Sequence, residues 1–247
     1  MNIFITGGIS GIGREVGLQF AKEGHTIGVC SFQSIDEIEG LPDNFYYFQA
    51  DVTKEDQLIK AINDFTEKFG SVDIVYANAG MNMPKTVIPD TKLGTKVTMV
   101  NVMGVVHAFN AALPHFLKQK RGHFVAISSL SGLNGLPGMS YYGASKSFVM
   151  KFCEGLALDL KDHNIHVTCV TPGFVATDFT KNNKNPMPFL MTLDYTAGKI
   201  VHAIKSKKEF IAFPIIPFMV MSFLSKIPKM LYYPIMRRDL FNLRYKD

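Results

Sequence analysis

Cysteine is scarce in this chain: Cys30, Cys153 and Cys169 are widely separated and no Cys-x-x-Cys pair occurs. That spacing provides neither a disulfide framework nor a thiolate metal centre, and no histidine-rich cluster supplies another ligand set. The three thiols are expected to be buried and reduced. No Pro/Gly/Ser-rich linker or low-complexity run divides the 247 residues, of which 47% are hydrophobic, so the chain can bury one large core. Charge of either sign is also modest: 26 Lys and Arg against 21 Asp and Glu give +5, with the basic residues spread out except near the C-terminus. Such mild basicity does not describe a nucleic-acid surface, and no nucleic acid is expected as a partner. The N-terminus reaches a glycine-rich turn at Gly7 without room for a charged segment and an apolar one, so no secretion signal is expected and the chain reads as cytoplasmic.

What is present begins at the first residues. Asn2 to Thr6 reads as a short buried strand, and Thr6-Gly7-Gly8-Ile9-Ser10-Gly11-Ile12-Gly13 follows it directly. Val16, Phe20 and Ala21 then continue with helical spacing toward Gly24. Glycines between a strand and a helix let the backbone turn sharply and approach a phosphate, while the helix N-terminus presents free N–H groups and the positive end of its dipole. Gly7, Gly11 and Gly13 suit those purposes. The backbone and hydroxyl of Ser10 and the N–H of Ile12 are the expected donors to a pyrophosphate.

Apolar runs then alternate with helical patterns. Residues 26–31, 45–50, 72–77, 122–128, 166–171 and 209–213 read as strands, and helical stretches lie near 55–69, 90–118, 142–163 and 194–205. Strands apolar enough to be buried on both faces, alternating with helices, predict a Rossmann-type doubly wound parallel sheet in a three-layer α/β/α single domain. Such a sheet binds its ligand beyond the carboxyl ends of its strands, at the switch point. Asp51, Asn78, Ser129 and Thr177 fall just after the third, fourth, fifth and sixth strands.

Tyr142-Gly143-Ala144-Ser145-Lys146 places a phenol and an ammonium four residues apart, with Ser129 upstream. Ala144, Phe148, Met150, Leu156, Ala157 and Leu160 predict a helix here, so positions i and i+4 share a face. A tyrosine titrates near pH ~10 when unperturbed, and a neighbouring positive charge makes it a better proton donor at neutral pH. Lys146 is placed to supply that charge. Tyr141 has Ser145 at i+4 instead, which favours Tyr142.

With these motifs in order, the chain resembles the classical short-chain dehydrogenase/reductase family from Asn2 to about Phe213. The resemblance rests on the glycine turn, on Asp51-Val52 at the place of the adenine-contacting acid, and on the Asn78-Ala79-Gly80 turn. Helix-borne Asn101, strand-end Ser129, the Tyr142/Lys146 pair and Pro172-Gly173 leading to Thr177 complete it. It implies a bound nicotinamide dinucleotide and hydride transfer between that cofactor and a carbonyl or secondary alcohol. Under the resemblance, Ser129 hydrogen-bonds the substrate oxygen and Tyr142 exchanges a proton with it. Lys146 lowers the phenol pKa and binds the nicotinamide ribose, and Asn101 holds a water linking Lys146 to solvent. The family's serine-to-tyrosine spacing selects Ser129 over Ser128, since alternate strand residues face opposite ways. A homodimer or homotetramer is also implied.

Taken singly, several of these residues have plainer readings. Asp51 could belong to a helix-start turn, Asn78 could brace a tight turn, and Asn101 could satisfy backbone inside a long helix. Together they favour the cofactor site. A catalytically silent NAD(P)-binding sensor is the competing function, and intact Ser129, Tyr142 and Lys146 weigh against it. Members selective for NAD often carry an acid at the end of the second strand, where this chain has Cys30-Ser31-Phe32-Gln33. With no carboxylate to repel a 2′-phosphate and Ser31 able to donate to it, NADP(H) is favoured over NAD(H). The next basic candidate is Arg14, and the short segment 34–44 predicts a truncated helix.

From Phe210 to Ser225 the chain carries no charge, and Lys226, Lys229, Arg237 and Arg238 then appear among Leu231, Tyr232, Tyr233, Ile235 and Met236. The run is shorter than a membrane span and broken by Pro214 and Pro217. Residues 214–247 therefore read as an apolar extension of a dinucleotide-binding catalytic domain at 1–213: ordinary core packing, a lid, a subunit interface or a peripheral membrane contact. The substrate loop is expected at about 178–195. There Met187, Phe189, Leu190 and Met191 predict an apolar pocket, and Lys181-Asn182-Asn183-Lys184-Asn185 reads as disordered. The expected substrate is a carbonyl or alcohol of an apolar, lipid-like small molecule.

Overall fold

The structure, a computed structural model, describes residues 1–38, 40–82, 88–181 and 186–237. Strands β1 (Asn2–Thr6), β2 (Thr26–Ser31), β3 (Phe45–Gln49), β4 (Ile74–Ala77), β5 (Gly122–Ile127), β6 (Ile165–Pro172) and β7 (Phe210–Phe213) form one sheet. Their order is β3-β2-β1-β4-β5-β6-β7, and every neighbouring pair is parallel. Each strand lies within two residues of a run read from the sequence. The connections hold α1 (Gly11–Lys22), α2 (Glu55–Phe69), α3 (Thr91–Thr98), α4 (Gly104–Gln119), α5 (Ser140–Asp159), α6 (Asp178–Lys181) and α7 (Leu193–Lys205).

The central strands are buried along most of their length because both of their faces are covered, whereas the edge strands β3 and β7 are only partly so. Phe4, Val75, Phe124 and Cys169 point into a core completed by Leu58, Ile62 and Phe65 of α2 and by Ala108, Ala112 and Phe116 of α4. Their strand neighbours Ile3, Ile5, Tyr76, Val125 and Val170 point the other way, onto Val16 and Phe20 of α1 and Ala197 and Ile200 of α7. Each fully buried side chain of this size contributes about 1.5–3 kcal/mol relative to exposure. All three cysteines are buried and unbridged.

The helix expected over 90–118 is continuous in space but not in type. Asp90 caps its start by accepting from the Leu93 N–H at 2.9 Å, and a π turn at Met99–Met103 separates α3 from α4. The wider turn carries Asn101 into the protein, where it is fully buried. After β2, where a full helix would fit, a 3₁₀ turn at Ile35–Glu37 stands alone, matching the truncation expected from the short segment.

The C-terminal region forms two helices, α8 (Ile215–Lys226) and α9 (Lys229–Arg237). Pro214 and Pro217, which interrupt a membrane span, sit at the N-cap and in the first turn of α8, where proline's missing N–H leaves no helical hydrogen bond unmade. Asn134 donates to the Met221 carbonyl at 2.7 Å and the Tyr232 hydroxyl donates to the Gly135 carbonyl at 2.7 Å. Both helices are thus fastened to the loop that follows β5. Residues 238–247, including Arg238, lie outside the described residues, as does the stretch 182–185.

Close packing across the sheet yields a stability prediction. A Cβ on Gly28 would stand 2.6 Å from two ring atoms of Phe65 and 2.9 Å from the Phe4 ring, whereas one on Gly155 of α5 would meet nothing within 4 Å. Gly28→Ala is expected to lower unfolding free energy by about 1–3 kcal/mol. Gly155→Ala should raise it by about 0.5–1 kcal/mol through helix propensity. Urea melts of both variants check the opposite signs.

Candidate active site

The sheet order makes β1 and β4 the switch point, because the chain winds toward β2 from one and toward β5 from the other. Their carboxyl ends are clasped together. The Thr6 hydroxyl accepts from the N–H groups of Asn78 and Ala79 at 3.1 and 3.0 Å, while Asn78 Nδ2 donates to the carbonyls of Thr6 and Gly7 at 3.1 and 3.2 Å. Asn78 therefore braces the turn, and it does so against the glycine bend. A Cβ on Gly13 would lie 2.4 Å from Asn78 Nδ2, and one on Gly7 would lie 2.9 Å from the Ala79 Cα, so both positions exclude a side chain.

The start of α1 is built to face an anion. Ser10 is its N-cap but makes no side-chain cap hydrogen bond, and the first turn holds no acid, whereas α3 and α7 are capped by Asp90 and Thr192. Gly11 adopts φ +53, and a Cβ there would meet only Thr177 Cγ2, at 3.8 Å. Thr177, after the Pro172-Gly173 turn, thus stands across a gap from the uncapped helix end near Ser10 and Ile12. Uncapped N–H groups, no competing carboxylate and a glycine-lined approach fit the pyrophosphate of a dinucleotide.

At the other end of the crevice Ser31 closes β2, with its hydroxyl donating to Gln33 Oε1 at 3.3 Å. The Tyr47 hydroxyl donates to the carbonyls of Ser31, at 3.0 Å, and Gln33, which fixes the turn. Arg14 reaches from α1 to the Gly40 carbonyl at 3.1 Å, on the connection that follows this turn. Asp51 Oδ1 accepts from the Thr53 N–H and hydroxyl, both at 2.9 Å, so the plain helix-start role is visible in the structure. Val52 is buried beneath Gly104, and its carbonyl is held by His107 Nδ1 at 2.9 Å.

Beyond β5 the two serines separate as a strand requires. Ser128 turns inward and donates to the Lys146 carbonyl at 2.6 Å, anchoring α5. Ser129 turns the other way: its Oγ accepts from the Ser131 N–H at 3.2 Å and donates to Ser131 Oγ at 3.3 Å, and it stands near enough to the phenol of Tyr142 to lower its pKa. Tyr142 and Lys146 are both buried on one face of α5, with Lys146 Nζ 5.8 Å from the phenol ring centroid and donating to the Ile127 carbonyl at 3.0 Å. Tyr141 is directed elsewhere: its ring fills the space over Gly94 of α3, where a Cβ would approach to 2.4 Å.

Asn101 ties these groups to the turn after β4. Its Oδ1 accepts from the Met81 N–H at 2.7 Å, and its Nδ2 donates to the Met81 carbonyl at 3.0 Å and to Ser145 Oγ at 3.1 Å. Ser145 in turn donates to the Tyr142 carbonyl at 2.7 Å. A Cβ on Gly80 would lie 3.5 Å from Asn101 Oδ1 and 3.6 Å from Lys146 Nζ, so Gly80 leaves room between the turn and the ammonium. The plain role expected for Asn101, satisfying backbone, is present too, but the backbone is Met81 rather than its own helix.

Burial governs the ionisation here. It pushes the Tyr142 phenol up to about 12, an effect that Ser129 partly offsets. It also pulls the Lys146 ammonium down to about 8, against a smaller opposing pull from Cys169. In the protein alone, desolvation is thus the larger influence on the phenol and Ser129 the smaller, opposing one.

The substrate loop departs further from expectation. Met191 forms a parallel backbone bridge with Val175 and is buried in the core beneath α7, so it does not line a pocket. Phe189 and Leu190 are exposed. Phe179 of α6 is the aromatic that approaches the site, its ring centroid 6.2 Å from that of Tyr142. Thr6, Ser145 and Phe179 are the residues that sequence reasoning passed over. Thr6 borders the glycine turn and Ser145 lies between Tyr142 and Lys146, so position alone could have raised them; Phe179 carries no such signal. Among the described residues no group of three or more His, Cys, Asp or Glu could hold a metal ion.

Comparison with known proteins agrees with this geometry. The profile of the short chain dehydrogenase family matches residues 1–188. An uncharacterized oxidoreductase of Myxococcus xanthus is 35% identical over 196 residues, which cover 76% of this chain and 77% of that protein. A 3-oxoacyl-(acyl-carrier-protein) reductase of Thermotoga maritima is 34% identical over 184 residues, covering 72% of this chain and 75% of the relative. Among solved structures, ElxO with NADP bound has a TM-score of 0.75 at 29% identity, covering 85% of this chain and 94% of its own.

The buried ammonium leads to a test of stability against pH. With a folded value of about 8 below the ordinary 10.5, the unfolded chain binds more protons between the two, and stability rises with pH across that window. Below pH 8 the penalty is at its fullest, up to about 3 kcal/mol. Lys146→Met removes it at the cost of the Ile127 contact. The variant is expected to gain about 1–3 kcal/mol at pH 7 and to lose most of that advantage by about pH 10, read from paired urea melts.

Proposed function

This chain belongs to the short chain dehydrogenase family and is an oxidoreductase acting with NAD(P), and on that premise we propose that it transfers hydride between NADP(H) and the carbonyl or secondary alcohol of an apolar, lipid-like small molecule. The observation that carries the proposal is the cluster of Ser129, Tyr142, Lys146 and Asn101 at one end of a crevice whose other wall is the uncapped start of α1. When bound, the cofactor supplies or accepts the hydride at its nicotinamide ring.

Reduction of a carbonyl leaves negative charge on the substrate oxygen, which a positioned donor and an acid must neutralise. Ser129 Oγ holds that oxygen. Tyr142, protonated throughout the neutral range by its burial, gives the proton. Lys146 carries a positive charge below about pH 8 and opposes the negative charge developing beside it. Asn101 and Ser145 hold Met81 and the first turn of α5 in register, so that Gly80 stays open beside the ammonium. Gly7, Ser10, Gly11, Ile12, Gly13 and Thr177 are assigned to the pyrophosphate. Asp51 and Val52 are assigned to the adenine end, and Asn78, Ala79, Pro172 and Gly173 to the walls of the crevice.

Five features support the finer parts of this reading. Ser31 stands where an acid would repel a 2′-phosphate, Arg14 is bonded to the connection between β2 and β3, and the related ElxO binds NADP. The Thermotoga relative is named for a 3-oxoacyl substrate, a carbonyl on an acyl chain. Phe179 places an aromatic ring beside Tyr142. With NADPH as the working cofactor, reduction is the favoured direction.

Tyr142→Phe should lower reductase turnover by about 10²–10⁴ while changing the NADPH dissociation constant little, measured by nicotinamide absorbance and by fluorescence titration. A wild-type protein that binds NADPH yet reduces no member of a hydrophobic ketone panel would support a silent sensor instead. In the active enzyme, kcat/KM for reduction should stay level below pH 8 and fall above it as Lys146 loses its proton. Ser31→Asp should move the NADPH-over-NADH ratio of kcat/KM at least about tenfold toward NADH, because the carboxylate repels a 2′-phosphate and accepts from a ribose hydroxyl.

A further inference from the structure

Ile215, Ile216, Met219, Val220 and Phe223 recur along α8 at the spacing of one helical face, and every one of them is at least 53% exposed. The opposite face is fastened down. Phe218 meets the Phe210 ring at 5.9 Å, and the Met221 carbonyl accepts from buried Asn134. The helix therefore cannot roll its apolar face inward without breaking both contacts. On α9 the same division holds: Tyr232 is buried and bonded to Gly135, while Met230 and Leu231 face out.

A contiguous apolar surface of this kind in water marks a contact surface, and its charged edge says with what. Lys226 closes α8 and Lys229 opens α9, with its ammonium 4.7 Å from the Tyr232 ring centroid. From Phe210 to Arg237 the sequence holds no Asp or Glu. A second copy meeting this face about a two-fold axis would set lysine against lysine, with no acid between Phe210 and Arg237 to pair with either. An anionic bilayer supplies what the face lacks: acyl chains for the apolar side chains and phosphates for the ammonium groups.

We propose that the exposed face of α8 and α9 docks on an anionic lipid surface. Because Asn134 and Gly135 lie on the loop between Ser129 and α5, docking brings the catalytic loop to the lipid boundary. The proposal stands on the surface itself and does not need the substrate reading to hold.

Flotation of the full chain with phosphatidylcholine vesicles, with and without phosphatidylglycerol, tests it. The protein should float with the anionic vesicles and be released by salt. Met219→Glu/Phe223→Glu should cut partitioning by at least about tenfold. Lys226→Gln and Lys229→Gln should each cut it about fivefold. Unchanged NADPH binding shows that each variant is folded, and no turnover enters the readout, so failure of the oxidoreductase reading would be seen separately. The proposal is overturned if the wild type stays unbound at every lipid composition. It is equally overturned if Met219→Glu/Phe223→Glu floats like the wild type, or if that variant shifts only the oligomer size in gel filtration.

Discussion

The clasp between Thr6 and Asn78 is the constraint from which the rest of the site follows. A parallel sheet must open a crevice where its winding reverses, but an open crevice is a poor place to hold two strand ends in register. Here one hydroxyl accepts from two N–H groups and one amide donates to two carbonyls, so the backbone groups freed at each strand end are satisfied by a side chain from the other. The glycine bend can then pass close to Asn78 and Ala79 without a side chain between them. This leaves the first turn of α1 as unclaimed donors at a fixed place. These donors suit the phosphate site proposed here.

The second wall of the crevice follows a different logic, in which polar groups are buried deliberately. Lys146 has the Ile127 carbonyl as its hydrogen-bond acceptor, and desolvation weakens its charge accordingly. Tyr142 beside it is held firmly protonated. In isolation this is an unfavourable arrangement, since an ammonium and a phenol are removed from water with few partners. It becomes useful when negative charge develops on an oxygen between Ser129 and Tyr142, because a field in a water-poor site acts on that charge with little screening. The stability lost at Lys146 and the catalysis proposed for it are thus two readings of one desolvation.

How much of this could be read from the sequence depends on which force set each residue. The sheet was legible because a parallel strand covered on both faces is mostly apolar on both, and the central strands β1, β4 and β5 are buried at nearly every position. Ser129 over Ser128 and Tyr142 over Tyr141 were legible for a similar reason: the period of a strand and of a helix decides direction, and the structure sends Ser128 to the Lys146 carbonyl and Tyr141 over Gly94. Met191 was misread because its composition fits a pocket, while a backbone bridge to Val175 draws it into the core. The burial of Lys146 and Tyr142 was not legible, because spacing reports proximity and not desolvation. Helices α8 and α9 were hardest to define, since an apolar residue in a sequence carries no sign of whether it faces protein or solvent.

That ambiguity is itself informative about the C-terminal region. Elsewhere in the chain the apolar pattern and the burial agree: Leu58, Ile62 and Phe65 of α2, or Ala197 and Ile200 of α7, are spaced as helical faces and are buried. On α8 the spacing is equally regular, yet the regular face is the exposed one and the inward face is held by a side-chain-to-backbone hydrogen bond and a ring contact. Hydrophobic burial within the chain does not orient this helix. An orientation that leaves five large apolar side chains in water is understandable when the energy is recovered outside the chain, and a basic edge in a segment without acids limits what that outside can be. The same loop that orients the helix also carries Ser129 toward Tyr142, so the place where the protein meets its surroundings and the place where it would do chemistry share one rigid connection.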